Sequence, residues 1–232
     1  MTDPYLAARL PDELPNDPMH WVAAWLADAN EKGVKRNPNA MAIVTVGSDA
    51  RPSARMVLCK EFQADAGYLV FYTNYESNKA QQIDENPNVA ALFHWDQLGR
   101  QVRIEGIAVR SPAEESDAYF ATRDWGSQIG AWGSDQSREL ESRNALLAQV
   151  GKRALKLGVN VAKNLQSIVG SDRPTIERPP HWGGYRIWAR RVELWIEGKD
   201  RIHDRARWER DLSQIDDAAF EVGEWSGNRL QP

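Results

Sequence analysis

Residues 40–62 read AMAIVTVGSDARPSARMVLCKEF. Two runs rich in β-branched and apolar residues flank a Gly-Ser-Asp-Ala-Arg-Pro segment. The stretch therefore predicts a strand, a turn and a second strand. The same texture recurs in GYLVFYTN (67–74), NVAALFHWD (88–96) and RQVRIEGIAVR (100–110). Beyond residue 180 it returns in GYRIWARR (184–191), VELWIEG (192–198), DRIHDRARWE (200–209) and a final strand near Phe220 to Trp225. Helical stretches are set between these strands. One starts at Asn16 or Asp17, with Pro18 in its first turn, an apolar face of Val22, Trp25, Leu26 and Ala29, and a stop at Gly33. SNKAQQIDEN (77–86) gives a short helix that ends before Pro87. Ser111-Pro112-Ala113-Glu114 has capping-box spacing and opens a helix to about Arg123. A fourth runs from about Ser137 to Leu157. Strands predominate, so the chain reads as mostly β with peripheral helices (α+β), a largely antiparallel barrel with helices packed outside.

Residues 1–15 read as a flexible arm and 16–232 as one domain, with an irregular insertion around 158–180 that ends in Pro179-Pro180. The 232 residues are 42% hydrophobic and 27% charged, the composition of a globular chain. Apolar runs are too short to span a bilayer, and the N-terminal segment lacks a basic start followed by an apolar core. Cys59 is the only cysteine, which excludes an internal disulfide and a cysteine-rich metal site. A cytoplasmic protein is expected. The net charge of −4 does not suit a general nucleic-acid binder. Ten tryptophans serve core packing or a wall beside a planar cofactor.

Four clusters carry candidate chemistry. In RMVLCK (55–60), strict alternation puts Arg55 and Lys60 on opposite faces, so both serve one site only through a bulge, an edge position or backbone contacts. Two solvated charges are the plainer alternative. Ser77, Asn78 and Lys79 follow Tyr72-Thr73 at a strand-to-helix turn. Free N–H groups, hydroxyls and an ammonium there suit a phosphate, or simply cap a helix. Tyr119 and Arg123, four apart, share a helix face, and Ser127 lies just past the helix end. Three such donors suit a phosphate, the alternative being a surface Arg beside a half-buried Tyr. Arg201, His203 and Arg205, spaced by two on a strand, point to one face, where two fixed charges favour the neutral imidazole and call for an anion. His20, His94, His181 and His203 lack zinc-type spacing, and no metal is expected. The hydrolase elbow, P-loop and dinucleotide fingerprints are missing, so hard chemistry requires a cofactor.

RMVLCK, FYTN, SNKAQQI, GRQVRIEG, YFATR, SQIGAW, QS, HWGGYR, ELW, RIHDR and RLQP occur in the order found in pyridoxamine/pyridoxine 5′-phosphate oxidases. The chain resembles that family from about residue 14 onward, apart from 158–178. The resemblance implies a split β-barrel homodimer with FMN at the subunit interface. It implies FMN contacts from Arg55, Met56, Val57, Leu58, Cys59, Lys60, Tyr72, Thr73, Lys79, Gln101, Gln136, Ser137, Trp195 and Arg205. It assigns substrate binding to Lys60, Tyr119, Arg123, Ser127, Arg201 and His203, the last two being catalytic. The implied reaction moves a hydride from C4′ of a phosphorylated pyridine to flavin N5, gives pyridoxal 5′-phosphate, and ends with O2 reduced to H2O2. Alternatives are a related FMN oxidase of a larger ring, as in phenazine biosynthesis, or a non-catalytic flavin or pyridoxal-phosphate binder. Two departures bear on affinity: Asn78 stands where the family has Arg, and Arg123-Asp124-Trp125-Gly126 replaces an Arg-Pro-Arg segment.

Overall fold

The computed structural model describes residues 4–6, 8–158 and 175–232. The chain divides into two compact units, one of Met1–Phe71, Gln82–Arg110 and Tyr185–Pro232, the other of Tyr72–Gln81 and Ser111–Gly184.

The strands are antiparallel, and most of their length lies in the first unit, with Tyr72–Asn74 and Trp182–Gly184 in the second. They are β1 (Ala40–Val46), β2 (Pro52–Leu58), β3 (Glu61–Gln63), β4 (Tyr68–Asn74), β5 (Asn88–Trp95), β6 (Arg100–Arg110), β7 (Trp182–Ile196), β8 (Asp204–Glu209), β9 (Leu212–Gln214), β10 (Phe220–Val222) and β11 (Ser226–Leu230). The main sheet runs β11-β8-β7-β6-β5-β1-β2, with β4 pairing with both β3 and β7, while β9 and β10 form a separate hairpin. In β1 the alternation is strict, with Met41, Ile43 and Thr45 inward. In β6 Val102, Ile104 and Ala108 do the same.

Two strands expected on either side of residue 191 are one, β7, of 15 residues. The break in pattern at Arg190-Arg191 is absorbed by a bulge opposite Glu105/Gly106 rather than by a turn. Gly106 is required there, because a Cβ would collide with the Trp188 carbonyl. Residues 200–209 are not one strand either; β8 starts at Asp204, after a 3₁₀ turn at Lys199–Arg201. Of the strand expected near Phe220–Trp225 only the three-residue β10 forms, and β11 follows beyond that range.

Helix α1 (Met19–Glu31) buries Trp21, Val22, Trp25 and Ala29. It starts a little later than expected, with Pro18 at the cap and Asp17 Oδ1 accepting the Met19 N–H at 2.7 Å. Its inward Asp28 meets the inward Arg100 of β6 at 2.9 Å, and the guanidinium lies over the Trp25 ring at 5.1 Å. Of the N-terminal segment, Tyr5 O accepts from Trp25 Nε1, Leu6 O from Arg100, and the Leu10 N–H donates to Asp204.

Helix α2 (Asn78–Glu85) follows β4. The second unit adds α3 (Ala113–Thr122), α4 (Trp125–Gly133) and α5 (Arg143–Lys156). Pro112 caps α3 instead of occupying its first turn, and no side chain caps it, so the expected capping box is not formed. Helix α5 begins at Arg143 with Ser142 as N-cap, not at Ser137, which sits at φ 72. Helix α4 has no counterpart in the sequence reading. Phe120, Ile129, Ala154, Ile176 and Trp182 form this unit's core. The inner part of the expected insertion lies outside the described residues. No helix among the described residues is long and apolar enough to cross a membrane.

Cys59 is buried, and desolvation pushes its thiol from 9.0 up to about 12. The unfolded chain loses this proton near pH 9 while the folded chain keeps it, so this contribution to stability declines between about pH 9 and 12. Iodoacetamide at pH 8 is expected to label Cys59 in denaturant and to leave it unmodified in the native protein. Equal labelling rates would contradict its burial.

Candidate functional site

In the second unit β4 ends and the chain turns into α2, which brings Tyr72, Thr73 and Lys79 together. Lys79 is buried, and its ammonium donates to Thr73 Oγ1 (2.9 Å), Ser77 Oγ (3.0 Å) and Gln136 Oε1 (3.3 Å). Gln136, distant in sequence, therefore joins the second cluster, with exposed Ser137 beside it. A buried ammonium, two hydroxyls and the start of a helix form a donor set that suits a phosphate such as that of FMN. Asn78 is exposed and adds no charge.

The third cluster is arranged differently from its sequence reading. Tyr119 lies on α3, but Arg123 is the residue after the helix, extended at φ −71 and ψ 147, so the two do not share a helix face. Aromatic rings bring them together. Tyr72 stacks on Tyr119 at 3.9 Å and on Trp182 at 5.4 Å. The Arg123 guanidinium lies over Trp182 at 4.5 Å. Burial pulls the Arg123 pKa below its ordinary value, with Tyr119 and Asp124 opposing, and its Nη1 is buried without a hydrogen-bond partner.

Ser127 lies past the end of α3, as expected, but within the first turn of a further helix, α4. Asp124 caps that helix, accepting the Ser127 N–H at 2.9 Å and its hydroxyl at 2.5 Å. These bonds hold the Asp124 carboxyl below the usual carboxylate range. Trp182 and Asp124 are thus the two residues of this cluster that sequence reasoning did not assign. Asp124, an N-cap type of residue before a Trp, was the available signal. Trp182 carried none beyond its type.

In the first unit, Arg55 donates to Thr45 Oγ1 (2.6 Å) and Ser53 Oγ (2.7 Å) and reaches Gln82 Oε1 at 3.3 Å. Burial lowers its pKa. β2 is the edge strand and ends at Leu58, so strict alternation does not extend to Lys60. Met56 and Lys60 are exposed, Val57 and Leu58 half-buried, and the Lys60 N–H donates to Val70 O.

Gln101, Trp195 and Arg205 lie side by side across β6, β7 and β8. Arg201 and His203 do not share a strand face with Arg205, because both precede β8. Asp200 (φ 57) and Arg201 (φ 65) are both left-handed, a costly pair for residues with side chains. A Cβ on Gly198 would collide with the Ile202 carbonyl, so the turn needs glycine there. The Gly198 N–H donates to His203 Nδ1 at 3.2 Å, and the His203 ring lies 4.6 Å from Trp195. An accepting Nδ1 leaves the neutral ring's hydrogen on Nε2. Glu193, buried at 4% exposure, accepts from Arg205 at 2.8 and 3.1 Å and from Arg103.

This strand order and donor set define a split-barrel protein with phosphate-suited sites. The family model for pyridoxamine 5′-phosphate oxidase matches residues 27–155, and the model for the pyridoxine 5′-phosphate oxidase C-terminal dimerisation region matches 182–232. A pyridoxine/pyridoxamine 5′-phosphate oxidase of Paracoccus denitrificans is 42% identical over 94% of this chain and 96% of its own length. One from Rubrobacter xylanophilus is 43% identical over 93% and 87%. Among solved structures, PhzG from Burkholderia lata, in complex with tetrahydrophenazine-1-carboxylic acid, is 32% identical with a TM-score of 0.76, covering 95% of each chain. A pyridoxamine 5′-phosphate oxidase-related, FMN-binding protein of Nostoc punctiforme shares the fold at 17% identity and a TM-score of 0.65, over 93% of this chain and 97% of its own. The chain belongs to the pyridoxine/pyridoxamine 5′-phosphate oxidase family.

Glu193→Gln keeps the shape of the clasp and removes its charge. It is expected to lower unfolding free energy by about 1–3 kcal/mol, since charged hydrogen bonds to two arginines weaken together. Urea denaturation checks this; an unchanged midpoint would contradict it.

Proposed function

We propose that the chain is a homodimeric, FMN-dependent oxidase that converts pyridoxine 5′-phosphate or pyridoxamine 5′-phosphate to pyridoxal 5′-phosphate. The observation that carries this reading is Arg123: its charge rests on the face of Trp182 beside Tyr119, and its buried Nη1 lacks a partner. A buried charged donor left unmet is costly, and a substrate phosphate supplies the missing acceptor.

In this reading Arg55, the segment Met56, Val57, Leu58, Cys59 and Lys60, together with Tyr72, Thr73, Lys79, Gln101, Gln136, Ser137, Trp195 and Arg205, hold FMN. Lys79 and the hydroxyls around it take the cofactor phosphate. Lys60, Tyr119, Arg123, Ser127, Arg201 and His203 hold the substrate, and Arg201 and His203 act at the reacting end. Bound FMN supplies the acceptor at N5 for a hydride from substrate C4′, with O2 as terminal oxidant giving H2O2. His203, with Nδ1 accepting from Gly198, offers an Nε2–H donor to the substrate. Arg201, exposed on its turn, contributes positive charge. Orientation and charge are the protein's part, and no side-chain nucleophile is needed.

A second reading, oxidation of a larger fused ring, is favoured by two observations: the Burkholderia neighbour bound to a phenazine precursor, and Ser127 donors already engaged by Asp124. It is separated by substrate. With FMN saturating, the protein is expected to form pyridoxal phosphate and peroxide from pyridoxine phosphate, and its flavin to bleach under anaerobic substrate. No bleaching with either B6 phosphate would remove the first reading.

Lys79→Ala is expected to weaken FMN binding at least tenfold, the loss of one charged contact. Arg201→Ala and His203→Ala should retain FMN while kcat/KM falls by about 10²-fold, as for lost transition-state donors. Flavin titration and steady-state kinetics check both. Equal flavin loss in all three variants would overturn the division of roles.

A further inference from the structure

We propose that Asp124 determines how tightly this chain accepts a phosphorylated substrate, by filling from within the chain positions that a phosphate needs. The inference rests on the substrate reading above for Arg123 and Ser127. The Asp124 carboxylate already holds both donors of Ser127, the N–H through Oδ1 and the hydroxyl through Oδ2. It is close enough to Arg123 for each charge to shift the other's titration. Two of the local donors and part of the local positive potential are thus committed to an internal anion.

An entering phosphate has two routes, and Asp124 opposes both. It either displaces the carboxylate from Ser127, which gives up two hydrogen bonds, or binds with Ser127 still engaged. In the second case it relies on Arg123 and Tyr119 and faces a like charge beside it. A neutral or singly charged ligand meets much less of this opposition. Asp124 is exposed, so solvent screens the effect and keeps it moderate.

Asp124→Asn separates this role from helix capping. Asparagine caps helices as well as aspartate does, and its amide oxygen still accepts the Ser127 N–H. The charge is gone and the grip on the hydroxyl is weaker. FMN-loaded wild type and Asp124→Asn are to be compared by calorimetric titration with inorganic phosphate. KM is then measured for pyridoxine 5′-phosphate and for unphosphorylated pyridoxine. The expected result is about three- to fivefold tighter binding of inorganic phosphate, with a matching fall in KM for the phosphorylated substrate alone. Unchanged or weaker phosphate binding, with the melting temperature preserved, overturns the inference. So does an equal change in KM for both substrates, because removal of a like charge acts on the phosphate only.

Asp124→Ala serves as the second variant. It frees the Ser127 hydroxyl entirely but loses the cap. If it melts early while Asp124→Asn does not, the titration with Asp124→Asn alone decides. Should wild type fail to oxidise pyridoxine phosphate, the proposed function falls. The phosphate titration needs no turnover, so it still decides on Asp124.

Discussion

A buried ammonium must be solvated by the protein, and Lys79 imposes that condition on the second unit. Removing such a charge from water costs several kcal/mol unless polar groups surround it. Oxygens from three separate segments meet the demand: Thr73 at the end of β4, Ser77 just before α2, and Gln136 between α4 and α5. One side chain therefore ties the strand end, the helix start and a distant loop to common coordinates. The Asn74 side chain reinforces the turn by accepting the Glu76 N–H at 2.7 Å. Ordering a loop by a charge rather than by apolar packing leaves its hydroxyls and N–H groups positioned for an anion.

Arg123 obeys the same logic with less completion. Its guanidinium rests on rings rather than among carboxylates, so dispersion and cation–π attraction hold it while one nitrogen stays unmet. The first unit treats its cations otherwise. Arg100 is closed by Asp28, and Arg205 by Glu193 and the Gln231 carbonyl. Pairing of that kind fixes where a guanidinium sits: it makes Arg100 part of the packing, and it orients Arg205, which the proposed reading sets against FMN. Arg201 is the contrast: exposed, on a turn with two consecutive left-handed residues and an obligatory glycine. Strain of that sort persists where the surroundings fix it, and it recurs at binding sites.

The strands were legible because one face of each is buried, and period-two alternation survives in β1 and β6. What misled was local pattern without tertiary context. Charges at 201, 203 and 205 have strand spacing, yet the chain turns there, because Gly198 admits the Ile202 carbonyl that any side chain would exclude. β7 reads as two strands because its pattern breaks at Arg190-Arg191, where a bulge carries the one strand through. The donors of the second cluster were readable from residue type and order; the meeting of Gln136 with Lys79 was expected only through the family resemblance. Trp182 beneath Arg123 depends on β7 and the α3 end meeting in space, which no short motif encodes.

Helix α4 was missed for a reason that also explains its cap. Three of its nine residues are glycine, and Gly130 alone, in the interior, costs about 1 kcal/mol relative to alanine, so the segment is a poor helix former. Packing compensates at Gly133, where Val150 of α5 sits so close that a Cβ would collide with it, and Gln149 donates to the Gly133 carbonyl. At the other end the compensation is Asp124, which satisfies the Ser127 N–H and places negative charge at the positive end of the helix dipole. A helix this weak gains from a permanent anion at its start. A loop that awaits a phosphate gains from having that position open. The two demands fall on the same atoms of Ser127, and this sequence has answered the first. On the proposed substrate reading, stability of the unliganded loop and affinity for an anionic substrate are opposed at a single side chain, the form a stability–function trade-off takes when the stabilising group imitates the ligand.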